Sequence, residues 1–251
     1  MSRGAIDLNA DVGEGCGSDG ELVPLVSSVN IACGAHAGDQ ETMRRTAALA
    51  LRHGVAIGSH PGFADREHFG RRELPVTPAE AAALVLGQTR LLDAVAESLG
   101  ARVLHVKLHG ALYNLAARDR PIAAAVAGAV LQLGRESGRP RLLVALAGSE
   151  LIAAGRACGL RVAGEGFADR AYRRDGSLVP RSEPGAVLAG EDAAALQALR
   201  LAREGRVRSA DGFDVAVDAD TLCLHGDSPQ AVALARRIGR DLAAAGIAVS
   251  C

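Results

Sequence analysis

The segment Ala5-Ile6-Asp7-Leu8-Asn9-Ala10-Asp11 alternates apolar and polar side chains along its whole length. A period of two is typical of a β-strand, in which every second side chain points to the same face. Residues 103–109 repeat the pattern, with a lysine between two histidines on one face, and residues 221–227 repeat it again. Three strands that each have one polar and one apolar face predict a sheet whose polar rows line the interior and mouth of a barrel.

The rest of the chain alternates short β-type segments with Ala- and Leu-rich helical segments. This order is typical of repeated βα units around a parallel sheet. Helix starts are indicated by Asp39, by the capping box from Thr77 to Glu80, by Ser149 and by Ser228. Seven or eight such units predict an α/β fold, a complete or distorted barrel, formed by residues 1–251 as a single domain. The predicted strands are 5–11, 28–33, 55–60, 103–109, 141–147, 161–167 and 221–227, with 247–251 as a weaker eighth.

Two segments interrupt this rhythm. Residues 173–190 contain several glycines and prolines, which predicts a long surface loop. Residues 206–217 are also irregular, and Asp211-Gly212 within them favours a small hairpin.

The composition excludes several classes of protein. Twenty-eight basic and 29 acidic residues give a net charge of -1, and there is no Trp and little Tyr or Phe, so nucleic-acid binding is not expected. No apolar stretch approaches the ~18 residues of a membrane span, and the first residues do not resemble a signal peptide. The five cysteines form no CxxC pair, which favours a reducing cytoplasm.

Polar residues gather where the predicted strands end. In a (β/α) barrel the carboxyl ends of all strands meet on one rim, where active sites are built. Burying so many ionisable groups is unfavourable unless they pair with one another, a metal or a substrate. The sequence therefore predicts a site at this rim, with these candidates: Asp7, Asn9, Asp11, Glu14, Asn30, Cys33, His36, His60, Lys107, His109, Glu165, Asp169, His225 and Asp227.

Lys107 is the only lysine among the 28 basic residues. Its ammonium is a compact cation that could stabilise a developing oxyanion, and a buried ion pair with Asp or Glu is the alternative. A divalent metal is possible, since Asp7, Asn9 and Asp11 with His60 could hold one. No HExxH or CxxC motif accompanies them, so no metal ligands are predicted.

Six segments give the chain a close resemblance to the LamB/YcsF family. The only departures noted are Ala35 and Leu108, where Phe and Pro are expected, and neither removes a chemical group. The segments span nearly the whole chain in order: Asp7-Leu8-Asn9-Ala10-Asp11-Val12-Gly13-Glu14-Gly15, Asn30-Ile31-Ala32-Cys33-Gly34-Ala35-His36-Ala37-Gly38-Asp39, Gly58-Ser59-His60-Pro61-Gly62-Phe63, Val106-Lys107-Leu108-His109-Gly110-Ala111-Leu112-Tyr113, Glu165-Gly166-Phe167-Ala168-Asp169-Arg170-Ala171-Tyr172 and Cys223-Leu224-His225-Gly226-Asp227.

The resemblance implies a distorted (β/α)7-8 barrel of the glycoside hydrolase/deacetylase type. It also implies ATP-dependent ring opening of 5-oxo-L-proline to L-glutamate by a 5-oxoprolinase, together with partner subunits B and C. Whether ATP binds this subunit or mainly its partners is left open by the sequence. A homo-oligomer is possible. Asp11, His60, Lys107 and Glu165 are then expected to be catalytic. The expected substrate-binding residues are Asn9, Asn30, His36, His109, Arg170, His225 and Asp227.

Two other functions remain open at this point. The same fold type would allow a metal-dependent carbohydrate deacetylase, although the missing Trp and scarce Tyr argue against a cleft that stacks sugars. A non-catalytic protein that carries a lactam or carboxylate to a partner is the third possibility.

Overall fold

The computed structural model describes residues 4–225 and 230–251. Seven parallel strands form a closed barrel, because the last strand pairs with both the sixth and the first. Six of them neighbour the strand that follows in the chain, so each βα unit adds one strand to the wall. The strands are β1 (Ala5–Val12), β2 (Ser28–Ala32), β3 (Ala56–His60), β4 (Val103–Lys107), β5 (Leu142–Leu146), β6 (Arg161–Phe167) and β7 (Thr221–His225).

Helices connect the strands, and most of them begin where the sequence predicts. The side chain of Asp39 caps α2, Thr77 and Glu80 form the predicted capping box of α3, and Ser149 caps α6. Ser228 lies outside the described residues. The helices are α1 (Asp19–Leu22), α2 (Gln40–His53), α3 (Pro78–Ser98), α4 (Gly110–Arg118), α5 (Arg120–Glu136), α6 (Glu150–Ala157), α7 (Glu191–Glu204) and α8 (Ala231–Ala244).

The predicted strands are confirmed with small shifts of their ends. Among the described ends of the seven barrel strands the largest shift is at β4, which ends at Lys107 because the amide of His109 instead donates a hydrogen bond to the carbonyl of Pro61. Residues 226–227 of the predicted last barrel strand lie outside the described part of the chain. Gly110 then takes a positive φ of 56° and opens α4, so His109 is held at the mouth of the barrel. The predicted eighth strand is only Ala248–Val249, which pairs with β1 below the start of β7 and is not part of the closed ring.

The alternation in β1 separates the core from the interior of the barrel. Ile6, Leu8 and Ala10 are buried in the main hydrophobic cluster, whereas Asn9 and Asp11 hydrogen-bond to side chains from other strands of the barrel. Asp7 does not reach the rim, because it lies near the amino end of β1, about 13 Å along the strand from Asp11. There it accepts hydrogen bonds from the hydroxyls of three other residues, Ser27, Ser28 and Thr221.

The predicted loop 173–190 lies over the barrel mouth and is tied to Arg170. The Arg170 guanidinium donates hydrogen bonds to the carbonyls of Val179 and Ala186. The hairpin predicted around Asp211-Gly212 is also present, as Arg206–Arg208 paired antiparallel with Asp214–Ala216. Within the described part of the chain, none of the helices combines the length and the apolar character required to cross a bilayer.

Candidate functional site

A network of buried polar side chains fills the barrel interior around Lys107. The Lys107 ammonium lies 2.8 Å from Asp11 Oδ1, 2.9 Å from Glu165 Oε1, 3.2 Å from Asn9 Oδ1 and 3.0 Å from Cys223 Sγ. An ammonium has three N–H donors, so these four partners account for all of them. Lys107 therefore joins two carboxylates that come from β1 and β6, the two strands that flank β7.

Burial alone would lower the pKa of Lys107. The negative charges of Asp11 and Glu165, with the Cys223 thiol, outweigh that effect and raise the pKa of Lys107 well above its ordinary value. Burial also raises the pKa of the Cys223 thiol well above its usual range, and Asp11 adds to the shift. Lys107 is thus a permanent cation, and Cys223 is a neutral thiol that is a poor nucleophile.

Two asparagine amides complete the network beneath Asp11. Asn30 Nδ2 donates to Asn9 Oδ1 at 2.7 Å and to Asp11 Oδ1 at 2.9 Å, and Asn30 Oδ1 lies 2.8 Å from His105 Nε2. Asn9 Nδ2 donates to Glu165 Oε1 at 3.0 Å. These buried amides have partners on both their oxygen and nitrogen atoms, so their orientation is fixed, and they fix that of Asp11.

Three histidines and Glu14 surround the mouth of the barrel just above this network. Glu14 Oε1 lies 3.2 Å from His36 Nε2, 3.3 Å from His109 Nδ1 and 3.8 Å from His60 Nε2. His60 Nε2 is also 3.3 Å from Asp11 Oδ2, and it faces His109 Nδ1 at 3.0 Å. The mouth and the interior therefore meet at Asp11, which contacts Lys107 through one oxygen and His60 through the other.

Hydrogen bonds to backbone carbonyls define the tautomers of two of these histidines. His60 Nδ1 lies 2.9 Å from the carbonyl of Lys107, and His109 Nε2 lies 2.8 Å from the carbonyl of Phe69. A carbonyl only accepts, so each of these nitrogens must carry the proton. In the neutral rings the facing atoms, His60 Nε2 and His109 Nδ1, are then both acceptors.

The pKa values favour neutral rings at His36 and His109. Burial lowers the pKa of His36 to about 4. Burial, with the neighbouring His60 and His36, lowers the pKa of His109 well below its usual range. The mouth therefore presents nitrogen lone pairs beside carboxylates at neutral pH.

A cavity of about 420 Å³ opens directly on these groups. Its volume is within the usual range for small-molecule sites. The loop over the mouth supplies part of the wall through Leu178, Pro180 and Ser182, and three arginines face it. The residues that line it are Asp11, His60, Arg71, Lys107, Leu108, His109, Gly110, Ala111, Tyr113, Asn114, Phe167, Arg170, Leu178, Pro180, Arg181 and Ser182.

The structure brings most of the residues predicted from sequence into this one region, at two depths. Asp11, His60, Lys107, His109 and Arg170 line the cavity. Asn9, Asn30 and Glu165 are buried beneath it, and His36 stacks on His109 with ring centroids 3.7 Å apart. His225 ends β7, but its side chain and Asp227 lie outside the described part of the chain.

Sequence reasoning placed Glu14 at the rim and His105 in the polar row of β4 without giving either a role, and it did not name Tyr113 as a site residue. Tyr113 lines the cavity, and its hydroxyl donates a 2.7 Å hydrogen bond to Glu165 Oε2. It thus connects the cavity to a carboxylate that does not line it. Tyr113 occurs four residues after His109 on α4, so the spacing of one helical turn was the available signal.

The His105 side chain is buried in the network, over Gly58. A Cβ on Gly58 would come within 2.0 Å of His105 Nε2, so only glycine leaves room for this ring. Burial, assisted by the charge of Lys107, lowers the pKa of His105 to about 4.

This shift predicts a dependence of stability on pH in the metal-free chain. Between about pH 6.5 and pH 4 the unfolded chain carries a proton on His105 and the folded chain does not, so acid favours unfolding. We expect His105→Gln to reduce the slope of the unfolding free energy against pH in this window by about 1.4 kcal/mol per pH unit. Urea titrations at several pH values in the presence of EDTA measure this slope, and His53→Gln, at an exposed histidine, is the control. Equal slopes for His105→Gln and wild type would contradict the assignment.

Together, the fold and the site define an α/β-barrel protein with a buried carboxylate, lysine and histidine centre at the carboxyl ends of its strands. The profile of the LamB/YcsF family matches residues 6–251. A Geobacillus kaustophilus protein, named as the A subunit of 5-oxoprolinase, is 53% identical over 249 residues, which cover 97% of this chain and 95% of that protein. The chain therefore belongs to the LamB/YcsF family.

Solved structures agree with the fold. The crystal structure of a lactam utilization protein from Thermus thermophilus is 45% identical in sequence, with a TM-score of 0.89 over 98% of this chain and 99% of that one. A substrate-bound T48 deacetylase is 13% identical, with a TM-score of 0.53 over 99% of this chain and 87% of that one. The second likeness concerns the fold alone, and it agrees with the expected deacetylase-type barrel.

Proposed function

We propose that this chain is the A subunit of an ATP-dependent 5-oxoprolinase, which opens 5-oxo-L-proline to L-glutamate in the cytoplasm together with subunits B and C. Relatives of the same length that are about half identical carry that name. The observation that carries the proposal is the contact of Asp11 with both Lys107 and His60 at the floor of an arginine-walled cavity.

The reaction requires activation of a weak electrophile. Amide resonance protects the lactam carbon, and transfer of the ATP γ-phosphoryl group to the carbonyl oxygen removes that protection and releases ADP. Water then adds to the carbon, the ring C–N bond breaks, and the nitrogen takes a proton. This leaves the acyl phosphate of glutamate, and a second water hydrolyses it to L-glutamate and phosphate. The chain described here supplies groups for the addition of water, and we assign most of the ATP binding to the partner subunits.

Asp11 is suited to act as the general base. Its Oδ1 is fixed by Lys107 and Asn30, so Oδ2, beside His60 Nε2, is positioned to accept a proton from a water in the cavity. Lys107 and Glu165 support Asp11 from beneath, and Tyr113 links Glu165 to the cavity. With three donors already used, Lys107 acts by positioning Asp11 more than by binding the oxyanion directly.

The cavity wall is suited to an anionic substrate. Arg71, Arg170 and Arg181 line it, and a guanidinium can bind a carboxylate or phosphate with two parallel hydrogen bonds. We assign the carboxylate of 5-oxoproline, or the phosphoryl group after transfer, to this side. Arg170 has a second task, since it also holds the loop over the mouth.

Reconstitution tests the proposal. The purified chain is combined with subunits B and C, and release of L-glutamate and ADP from 5-oxo-L-proline and ATP is followed. We expect glutamate only when all three subunits and ATP are present, with about one ADP for each glutamate. Deacetylation of an acetylated sugar by the single chain, with no glutamate from the complex, would support the deacetylase instead. Binding of 5-oxoproline with unchanged turnover when this chain is omitted would indicate a non-catalytic carrier.

A further inference from the structure

We propose that Glu14, His60 and His109 bind one divalent transition-metal ion, of which Zn²⁺ is the best match, and that His36 positions Glu14 for this task. These residues lie on four different segments of the barrel mouth and form no recognisable metal motif in the sequence. Their candidate ligand atoms, with that of His36, all lie within 4.8 Å of one another.

The spacing of the three ligand atoms fits a tetrahedral ion. Their separations are 3.0 Å between His60 Nε2 and His109 Nδ1, 3.3 Å between His109 Nδ1 and Glu14 Oε1, and 3.8 Å between His60 Nε2 and Glu14 Oε1. Bonds of about 2.0–2.1 Å to a tetrahedral Zn²⁺ place neighbouring ligand atoms about 3.4 Å apart. The three atoms need only small adjustments to share one ion.

The tautomers of the two histidines are those of metal ligands. Each ring is oriented by an N–H donated to a backbone carbonyl, from His60 to Lys107 and from His109 to Phe69. Histidines that bind metals use their second nitrogen in this way, which leaves the first nitrogen as a lone pair for the ion. The ring planes cross at 82°, so the two lone pairs can converge on one point.

Two facing lone pairs beside two carboxylates repel one another unless a cation lies among them. His60 Nε2 faces His109 Nδ1 at 3.0 Å. Glu14 Oε1 lies near both nitrogens, and Asp11 Oδ2 lies near His60 Nε2. A divalent ion removes this repulsion for all four atoms at once. A single proton shared by the two rings is the competing explanation, and it would supply one positive charge beside the two carboxylates.

His36 acts on the site through Glu14. Its Nε2 lies 3.2 Å from Glu14 Oε1, and its ring stacks on His109 almost in parallel, at 3°. Because the two stacked rings lie in parallel planes, in-plane lone pairs of His36 and His109 cannot converge on one ion, and we assign His36 as a hydrogen-bond donor to Glu14. A set of two nitrogens and one carboxylate oxygen is found at catalytic zinc sites, which keep a fourth position for water or substrate. His60 and His109 line the cavity, so that position would face it, beside Asp11.

Metal binding by the isolated full-length chain tests the inference without substrate or partner subunits. The chain is stripped with a chelator, titrated with ZnCl₂ by calorimetry, and titrated with CoCl₂ while the visible absorption of the ion is recorded. We expect one ion per chain and the intense visible bands of four-coordinate Co²⁺. No ion bound below millimolar concentration would overturn the inference in favour of the shared proton, whatever the outcome for 5-oxoprolinase activity.

Matched variants locate the ion. Glu14→Gln, His60→Gln and His109→Gln are each expected to weaken Zn²⁺ binding at least ~100-fold, and His36→Asn about 10–100-fold with unchanged stoichiometry. His53→Gln and His68→Gln, at histidines outside this cluster, should bind as wild type does. Wild-type affinity in all three ligand variants would place the ion elsewhere and overturn the assignment. Should a variant fail to fold by circular dichroism, the imidazole NMR signals of the wild-type chain serve instead, since those of His60 and His109 must shift with one equivalent of Zn²⁺.

Discussion

Asp11→Asn is expected to lower the turnover of the reconstituted 5-oxoprolinase at least ~10²-fold, the scale of a lost general base. The amide has the shape of the carboxylate and keeps an oxygen for Lys107, but it cannot take a proton from water. Lys107 also retains Glu165 at 2.9 Å, so its charge stays paired. The loss should therefore appear in kcat, with KM for 5-oxoproline and the far-UV circular dichroism close to wild type.

His60→Ala and Asp192→Asn complete this experiment. His60→Ala should also lose at least ~10²-fold, because the ring contacts Asp11 Oδ2 at 3.3 Å and lines the cavity. Asp192→Asn removes a 90% exposed carboxylate from α7 and should leave turnover unchanged. If Asp11→Asn lost stability but retained wild-type specific activity in its folded fraction, Asp11 would be a structural residue and the proposed mechanism would be wrong.

The barrel was predictable from sequence because its strands carry their own pattern. Alternation in β1 and β4 separates an apolar face from a polar one, and helix caps such as Asp39 and Thr77 mark where the connecting segments begin. The end of β4 was not predictable in this way. The alternation continues to His109, and only a tertiary hydrogen bond to the Pro61 carbonyl turns the backbone away from the strand.

The depth of each site residue was equally hidden in the sequence. Asn9 and Asp11 point to the same face of β1, yet only Asp11 lines the cavity, because it lies two residues nearer the carboxyl end of the strand, where the cavity floor is. Asp7, two residues before Asn9, lies near the amino end of β1, away from the cavity. Parity thus indicates the face of a residue, and only the register of neighbouring strands gives its height.

Glu14 illustrates what sequence reasoning lacks. It follows β1 in a glycine-rich turn, and no motif connects it with His36, His60 or His109. The three histidines lie at the carboxyl ends of β2, β3 and β4, the strands that follow β1 in the wall, and the pairing of these parallel strands brings them to one carboxylate. Such a cluster depends on tertiary structure, and the spacing of its members along the sequence does not indicate it.

Lys107→Met is expected to lower the free energy of unfolding by about 3–5 kcal/mol, the scale for removing one partner of a buried ion pair. The sequence alone left oxyanion stabilisation and a buried ion pair open, and the contacts favour the second. Lys107 is 2% exposed, and its removal leaves the Asp11 and Glu165 carboxylates in the same interior without their cation. Arg52→Met, at an exposed position of α2, is the matched control and should change stability by less than about 0.5 kcal/mol.

The double variant Lys107→Met/Glu165→Gln distinguishes the ion pair from simple loss of packing. Glu165→Gln removes one of the two buried negative charges that Lys107→Met leaves without a cation, and it keeps an acceptor for the Tyr113 hydroxyl. We therefore expect the double variant to recover part of the lost stability in urea titrations. Lys107→Arg keeps the charge but puts a planar, larger group among four partners spaced for an ammonium, and we expect it to lose most turnover. Wild-type stability in Lys107→Met would show that the two carboxylates do not need this cation. Wild-type turnover in Lys107→Arg would show that the charge alone is sufficient to hold Asp11 in place.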